Sequence, residues 1–326
     1  MSETVSVGVI GVGSMGRHHA RVYNELPGVQ LVGVADADRE RARTVAEQFE
    51  TRMLPQSALL GAVDAVSVAV PTRHHASVAR EAVAAGVDVQ VEKPFVVDPA
   101  EGRNLLVAAD EADVVLGVGH VERYNPAITA LEGVLAEVDP LAVAARRQGP
   151  PVDRDDSASV VFDLMIHDID VVLSMTDATL TDVSATGVPE RSHAVAQLAF
   201  ENGLVATLTA SRISQERIRD LAVTAEECYV DVDYMDQSVE IHRHSLPEYI
   251  QTNGDVRFRH ESVIERPTVE NGEPLKNELS AFVEAVRENE PPRTTGRDGL
   301  RAVEVATQVE AALDPAREPT PEVTRP

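Results

Sequence analysis

Val5-Ser6-Val7-Gly8-Val9-Ile10 runs directly into Gly11-Val12-Gly13-Ser14-Met15-Gly16, and this stretch decides the fold. The first six residues read as a buried strand, the next six fit G-x-G-x-x-G, and residues 14–26 carry helical periodicity. In that context each glycine has its own use. Gly11 permits a tight turn, Gly13 lets backbone approach a pyrophosphate, and Gly16 allows the helix to pack close to the strand. Ser14 and Met15 complete a loop whose helix N-terminus favours negative charge. Asp36 ends the second strand twenty residues after Gly16, where a carboxylate accepts hydrogen bonds from ribose hydroxyls and repels a 2′-phosphate. NAD is therefore expected in preference to NADP, with Arg39 and Arg41 as the neighbours that would argue for the phosphate. A glycine turn that binds nothing is the alternative, and strand, helix and acid together weigh against it.

Outward from this unit, apolar runs at 31–35, 65–70, 87–91 and 114–118 alternate with helical stretches at 39–49, 74–85 and 99–110. Strands apolar on both faces and separated by helices imply an α/β, doubly wound parallel sheet over residues 1–120. The pattern then changes. Residues 126–138 and 158–174 read as helices, and strand-like runs follow at 183–186, 194–200, 204–210, 218–224, 229–232 and 239–242. Turns such as Glu201-Asn202-Gly203 make these an open, mainly antiparallel sheet. Helices at 278–288 and 299–313 complete an α+β domain over 121–315, and 316–326 reads as a flexible, solvated tail.

The chain has 326 residues and a formal net charge of −25, which opposes contact with phosphate backbones, so no nucleic-acid partner is expected. No apolar run approaches the length of a membrane span. The first residues, Met1-Ser2-Glu3-Thr4, carry no positive charge, and the lone Cys228 cannot form an internal disulfide, so a cytoplasmic protein is expected. Only Lys93 and Lys276 are lysines among 29 basic residues, and there is no tryptophan. An acidic surface so poor in lysine suits a halophilic protein working in molar salt, where counterions screen its carboxylates. A GC-rich genome would explain arginine over lysine but not the charge. Activity is expected to fall in dilute buffer as unscreened carboxylates repel, and a rate series up to molar KCl measures this; full activity without added salt would contradict it.

Glu92-Lys93-Pro94 follows the strand read at 87–91, at the carboxyl edge where doubly wound sheets bind ligands. A lysine retained there is a candidate to orient a substrate hydroxyl and stabilise its alkoxide. Asp163 and His167 stand four residues apart, with Asp170 three further on, so one helix face would carry all three. A histidine oriented by a carboxylate suits a base taking the proton of a secondary alcohol. A metal at His167 lacks a third ligand at suitable spacing, and none is expected. An acidic solvated helix with an incidental histidine is the plainer alternative.

The glycine fingerprint, Pro71-Thr72-Arg73-His74-His75, Glu92-Lys93-Pro94 and Asp163 to His167, in this order, resemble the Gfo/Idh/MocA family of NAD(P)-dependent sugar and cyclitol oxidoreductases. The resemblance spans nearly the whole chain. It implies an N-terminal Rossmann domain, a C-terminal domain whose sheet joins a homodimer or homotetramer, and an enzyme acting on CH–OH groups. It also implies catalytic roles for Lys93, Asp163 and His167, and places Pro71, Thr72, His75, Glu92 and Lys93 beside the cofactor. His120-Val121-Glu122-Arg123-Tyr124-Asn125-Pro126 and residues 162–170 resemble the nucleotide-sugar 3-dehydrogenase branch, which includes enzymes acting on UDP-N-acetylglucosamine. That narrower likeness implies oxidation of a sugar C3 hydroxyl, with Arg123, Tyr124, Asn125 and His167 meeting substrate. Tyr124 reads equally well as a core aromatic. A free sugar or inositol-type cyclitol is the alternative substrate, and a nicotinamide-binding sensor without turnover the alternative class.

Overall fold

β1 (Val5–Ile10), β2 (Val29–Ala35), β3 (Arg52–Met53), β4 (Ala65–Val68), β5 (Asp88–Glu92) and β6 (Leu116–Gly119) form a parallel sheet in the order β3-β2-β1-β4-β5-β6. The order reverses between β1 and β4, which opens the crevice where such sheets bind ligands. The computed structural model describes residues 4–151, 159–188, 192–244, 248–252, 255–259 and 261–313. The described residues contain no helix long and apolar enough to cross a membrane.

Five helices connect these strands: α1 (Ser14–Glu25), α2 (Arg39–Gln48), α3 (Gln56–Leu60), α4 (His75–Ala84) and α5 (Pro99–Ala112). Local chemistry sets their ends. Asp38 accepts from the Glu40 and Arg41 amides to cap α2, and Asp98 caps α5 just before Pro99. Val7, Val9, Val66, Val68, Val89 and Val91 are fully buried, as strands covered on both faces require. β3 and α3 were not expected: two residues of strand and one turn and a half of helix are too short to show a period.

The chain divides into two units, one holding residues up to Pro126 with Asn271–Glu304, the other holding Ala127–Glu270 with the chain from Val305 onward. In the first, α8 (Pro274–Glu288) sets Leu275, Leu279, Phe282 and Val283 into the core formed by Val5, Val7, Val9 and Tyr23. This return from far along the sequence has no local signature.

The second unit contains α6 (Pro126–Leu135), α7 (Ile166–Ser174) and an eight-stranded sheet. Its strands are β7 (Ala142–Gln148), β8 (Leu180–Gly187), β9 (His193–Phe200), β10 (Val205–Ser211), β11 (Ile218–Thr224), β12 (Tyr229–Asp233) and β13 (Ser238–His244). A separate hairpin of β14 (Glu248–Thr252) and β15 (Asp255–Arg259) precedes β16 (Ser262–Glu265), which pairs with β13 at the sheet's edge. The order is β16-β13-β12-β11-β7-β10-β9-β8, antiparallel except for β7 beside β10. Alternation holds along it: Ala194, Ala196, Leu198 and Phe200 of β9 are buried, while Gln197 between them is exposed. The sequence reading had no strand at β7, β14, β15 or β16.

Several helices differ from expectation: α6 ends three residues earlier than read and α8 begins four residues earlier. The stretch read as helix over 158–174 is a π turn at Val161–Met165 followed by α7, residue 158 lying outside the described residues. The last helix, α9 (Gly296–Ala312), begins three residues earlier than read. The Thr295 amide and hydroxyl donate to Asp298 Oδ2, while the Asp298 amide donates to Thr295 Oγ1, a reciprocal cap that pins the start. The expected tail, 316–326, lies outside the described residues.

Candidate active site

The loop between β1 and α1 is shaped by what its glycines exclude. Gly11 has φ +87°, and a Cβ there would lie 2.7 Å from Ala69 and Val70 backbone atoms. A Cβ on Gly16 would lie 1.8 Å from the Gly11 carbonyl oxygen, so only glycine lets α1 start so close to β1. Gly13 differs: the one atom within 4 Å of its Cβ position is Arg41 Nη1, at 3.8 Å. That open side is a cradle a phosphate can enter. Gly13 supplies no side-chain cap to α1 and the first turn has no acidic residue, so the N-terminal amides of Ser14 and Met15 favour an anionic ligand.

Asp36 closes the cradle from the end of β2. Its Oδ2 accepts from the Val12 amide at 2.7 Å and its Oδ1 from the Asp38 amide at 2.8 Å. Each oxygen keeps a lone pair for a ribose hydroxyl. Arg41 donates to Asp38 Oδ2 at 3.0 Å. The open glycine, uncapped helix start and anchored carboxylate fit a nicotinamide dinucleotide.

The loops after β4 and β5 are tied to each other. Pro71 leads into a 3-10 turn at Thr72–His74, and His75 opens α4. The His75 ring is buried, with Nδ1 2.8 Å from the Pro94 carbonyl oxygen and Nε2 2.8 Å from that of Val70. Burial pushes this imidazole below its ordinary pKa against the pull of those carbonyls; the neutral ring donates to one of the two and packs against the other. Lys93 follows β5, and the Lys93–Pro94 peptide is cis. Glu92 beside it is buried, and its Oε2 accepts from the Lys93 amide at 3.2 Å.

His19, absent from the candidates above, is the partner of Glu92. Nε2 lies 2.8 Å from Glu92 Oε1 and Nδ1 2.9 Å from Ser67 Oγ, with the ring fully buried. The signal was present: Gly16, His19, Ala20 and Tyr23 form a buried i, i+3, i+4, i+7 stripe on α1.

Arg123, Tyr124 and Asn125 lie in or just after a 3-10 turn at Val121–Tyr124 of the first unit. Tyr124 is buried, its hydroxyl 3.0 Å from Thr294 Oγ1, with the Arg293 guanidinium 5.3 Å above the ring. Burial raises its phenol to about 12. Asn125 is also buried and donates to Glu122 Oε2 at 3.3 Å, and Arg123 is half-buried.

In the second unit, Asp163 sits within the π turn and His167 in the first turn of α7. The widened turn replaces the unbroken α-helix on which a common stripe for Asp163, His167 and Asp170 was expected; such turns recur at functional sites. Asp163 is fixed from the sheet side: Arg212, just beyond β10, donates to its Oδ2 at 2.6 Å. His167 is half-buried and Asp170 buried. Among the described residues, no group of three or more His, Cys, Asp or Glu is placed to hold a metal.

Residues 5–120 match the model of an oxidoreductase family with an NAD-binding Rossmann fold, and 132–231 match that of the GFO/IDH/MocA C-terminal domain. The chain is 36% identical over 312 residues to UDP-N-acetylglucosamine 3-dehydrogenase of Acidithiobacillus ferrooxidans, covering 94% of this chain and 96% of that one. A solved structure of that dehydrogenase superposes with a TM-score of 0.87 at 35% identity, covering 95% and 97% of the two chains. Inositol 2-dehydrogenase of Rhizobium meliloti is 26% identical, over 93% of this chain and 95% of its own. With a nicotinamide-binding domain at its N-terminus and the family's second domain after it, the chain belongs to the Gfo/Idh/MocA family of oxidoreductases.

Proposed function

We propose that this protein oxidises a ring hydroxyl of a nucleotide sugar with NAD, converting UDP-N-acetylglucosamine to its 3-oxo derivative. The observation that carries the substrate is the 36% identity over 94% of the chain to a UDP-N-acetylglucosamine 3-dehydrogenase. The glycine loop holds the pyrophosphate and Asp36 the adenosine ribose. The anchored carboxylate supports NAD over NADP, and Arg41 is bonded to Asp38. Bound NAD supplies the acceptor for the hydride that leaves the carbinol carbon. His167 takes the hydroxyl proton, Lys93 polarises the same oxygen as its bond to carbon becomes double, and Asp163, held by Arg212, orients the reacting groups. Arg123 is the candidate for a charged or hydroxylated part of the substrate, since its fork binds two oxygens.

The same reading includes a homodimer or homotetramer in the cytoplasm. Val205, Ala142, Thr224, Tyr229, His242 and Ile264 stand in register on one face of the large sheet, and Val205, Tyr229 and Ile264 are exposed. Three exposed apolar side chains in a row that also holds Thr224 and His242 support self-association.

The second reading, oxidation of a free cyclitol, is favoured by the inositol 2-dehydrogenase likeness. Incubating the protein in molar KCl with NAD or NADP and a panel of UDP-sugars, free sugars and inositols separates the two, with hydroxylamine trapping any ketone. NAD reduction with UDP-N-acetylglucosamine and a trapped 3-oxo product is the expected result. Turnover of inositol alone would overturn the substrate, and cofactor binding without turnover would leave a sensor.

A further inference from the structure

A chain of buried polar side chains joins α1 to the end of β5, and the roles assigned above leave it unused. Tyr23 Oη lies 2.8 Å from Ser67 Oγ, Ser67 Oγ 2.9 Å from His19 Nδ1, and His19 Nε2 2.8 Å from Glu92 Oε1. Glu92 Oε2 then accepts from the Lys93 amide at 3.2 Å. A carboxylate only accepts, so the bonds run one way: Tyr23 donates to Ser67, Ser67 to His19, and His19 to Glu92. All four side chains are buried, and losing any link leaves a polar group unsatisfied where water does not compensate.

We propose that His19 is a positioning residue for Lys93: by holding the Glu92 carboxylate it fixes the backbone from which Lys93 projects and keeps an anion beside its ammonium. The role of Lys93 itself rests on the function proposed above. Burial pushes the Glu92 carboxyl up, but the bond from His19, and then the charge of Lys93, bring it below its ordinary value. The groups facing it are His19 and Tyr23 on α1, Ser67 on β4, His75 on α4 and Lys93, with Glu278 of α8 acting on Tyr23. Without His19, burial meets less opposition, Glu92 takes up its proton at higher pH, and the carboxylate is no longer held in place.

Two substitutions divide the histidine into its halves. His19→Gln carries an amide to the place of Nε2 and keeps a donor for Glu92; His19→Asn reaches only the place of Nδ1 and keeps Ser67. Because the chain has two lysines, reductive methylation with 13C-formaldehyde, which preserves their charge, labels only Lys93, Lys276 and the N-terminal amine. Lys276→Arg assigns the Lys93 resonance. His19→Asn is expected to lower the Lys93 titration midpoint and to raise the pH of the acidic limb of kcat for UDP-N-acetylglucosamine. At neutral pH, kcat should fall about tenfold to a hundredfold with KM for NAD little changed, while His19→Gln stays close to the parent in each. A purely structural histidine would make the two variants equal, and coincident Lys93 midpoints across all three proteins would overturn the proposal. Should His19→Asn not fold, Glu92→Gln removes the same charge and an unchanged midpoint there is equally decisive. Lys93→Ala tests the underlying reading: normal turnover there removes Lys93 from the chemistry, whereas the resonance still reports whether His19 positions it.

Discussion

Lys93→Ala is expected to lower kcat by about 10²- to 10⁴-fold, the range contributed by a positioned proton-transfer or polarising group, while the affinity for NAD persists. In the proposed function the dinucleotide is gripped elsewhere, by the cradle at Gly13 and the anchored Asp36, neither of which involves the Lys93 side chain. In the proposed reaction, what the ammonium supplies is needed as hydride departs, when the hydroxyl oxygen carries most negative charge. That interaction strengthens between ground and transition state, so its loss falls on kcat rather than on KM. His167→Ala is expected to fall in the same range because the proton then has no acceptor. If the two groups act on one oxygen, as proposed, the double variant loses less than the product of the two single losses, because such groups are not independent. Steady-state rates with ketone trapping, alongside titration of NAD into each variant, measure both halves. Near-normal turnover in either single variant removes that residue from the mechanism. Lys93→Arg is informative for geometry, because a planar fork cannot replace a compact ammonium.

Much of the dinucleotide-binding unit was readable from the sequence because its constraints are local. A positive φ at Gly11 and a 1.8 Å approach at Gly16 admit only glycine, and such demands write themselves as a motif. The strand that leads to Glu92 and Lys93 was legible for another reason: Val87, Val89 and Val91 alternate with Asp88 and Gln90 directly after Gly86, where the preceding helix stops. Other parts depend on partners far along the chain. Sequence patterning does not show that Thr294 holds the Tyr124 hydroxyl, or that α8 returns to cover β1. The π turn under Asp163 escaped for another reason: one extra residue in a turn changes the facing of side chains without changing their composition.

β7 shows the same limit most sharply and bears on the chemistry through α7. Its residues Arg146 and Arg147 are adjacent and chemically identical, so composition says only that the segment is polar. A strand turns successive side chains to opposite faces. Arg146 points to the open face and pairs with Asp220, while Arg147 points into the unit and is 3% exposed. There Nε donates to Asp168 Oδ2 at 3.1 Å and Nη2 to Oδ1 at 2.8 Å, and the guanidinium lies 5.1 Å from the centre of the Tyr234 ring. Asp168 is the residue after His167, so this pair ties the helix that carries the proposed base to the sheet.

Asp168→Asn is therefore expected to destabilise the protein by about 3–5 kcal/mol, the usual consequence of leaving one member of a buried pair without its counter-charge. The cost arises from desolvation rather than from lost attraction alone: Arg147 stays charged at any accessible pH, and the surrounding side chains cannot hydrate it. Replacing both partners by apolar residues, Arg147→Met with Asp168→Leu, removes the charge along with the bond. Most of the stability is expected to return, because such swaps are often near neutral. Urea unfolding in molar KCl, where surface carboxylates are screened and a buried pair is not, compares the three proteins. If Asp168→Asn unfolds at the parent's urea midpoint, Arg147 is not relying on Asp168. If instead the double variant regains stability but kcat stays low, the ion pair acts on function by orienting α7, and its charge has been kept for the placement of His167 rather than for the strength of the fold.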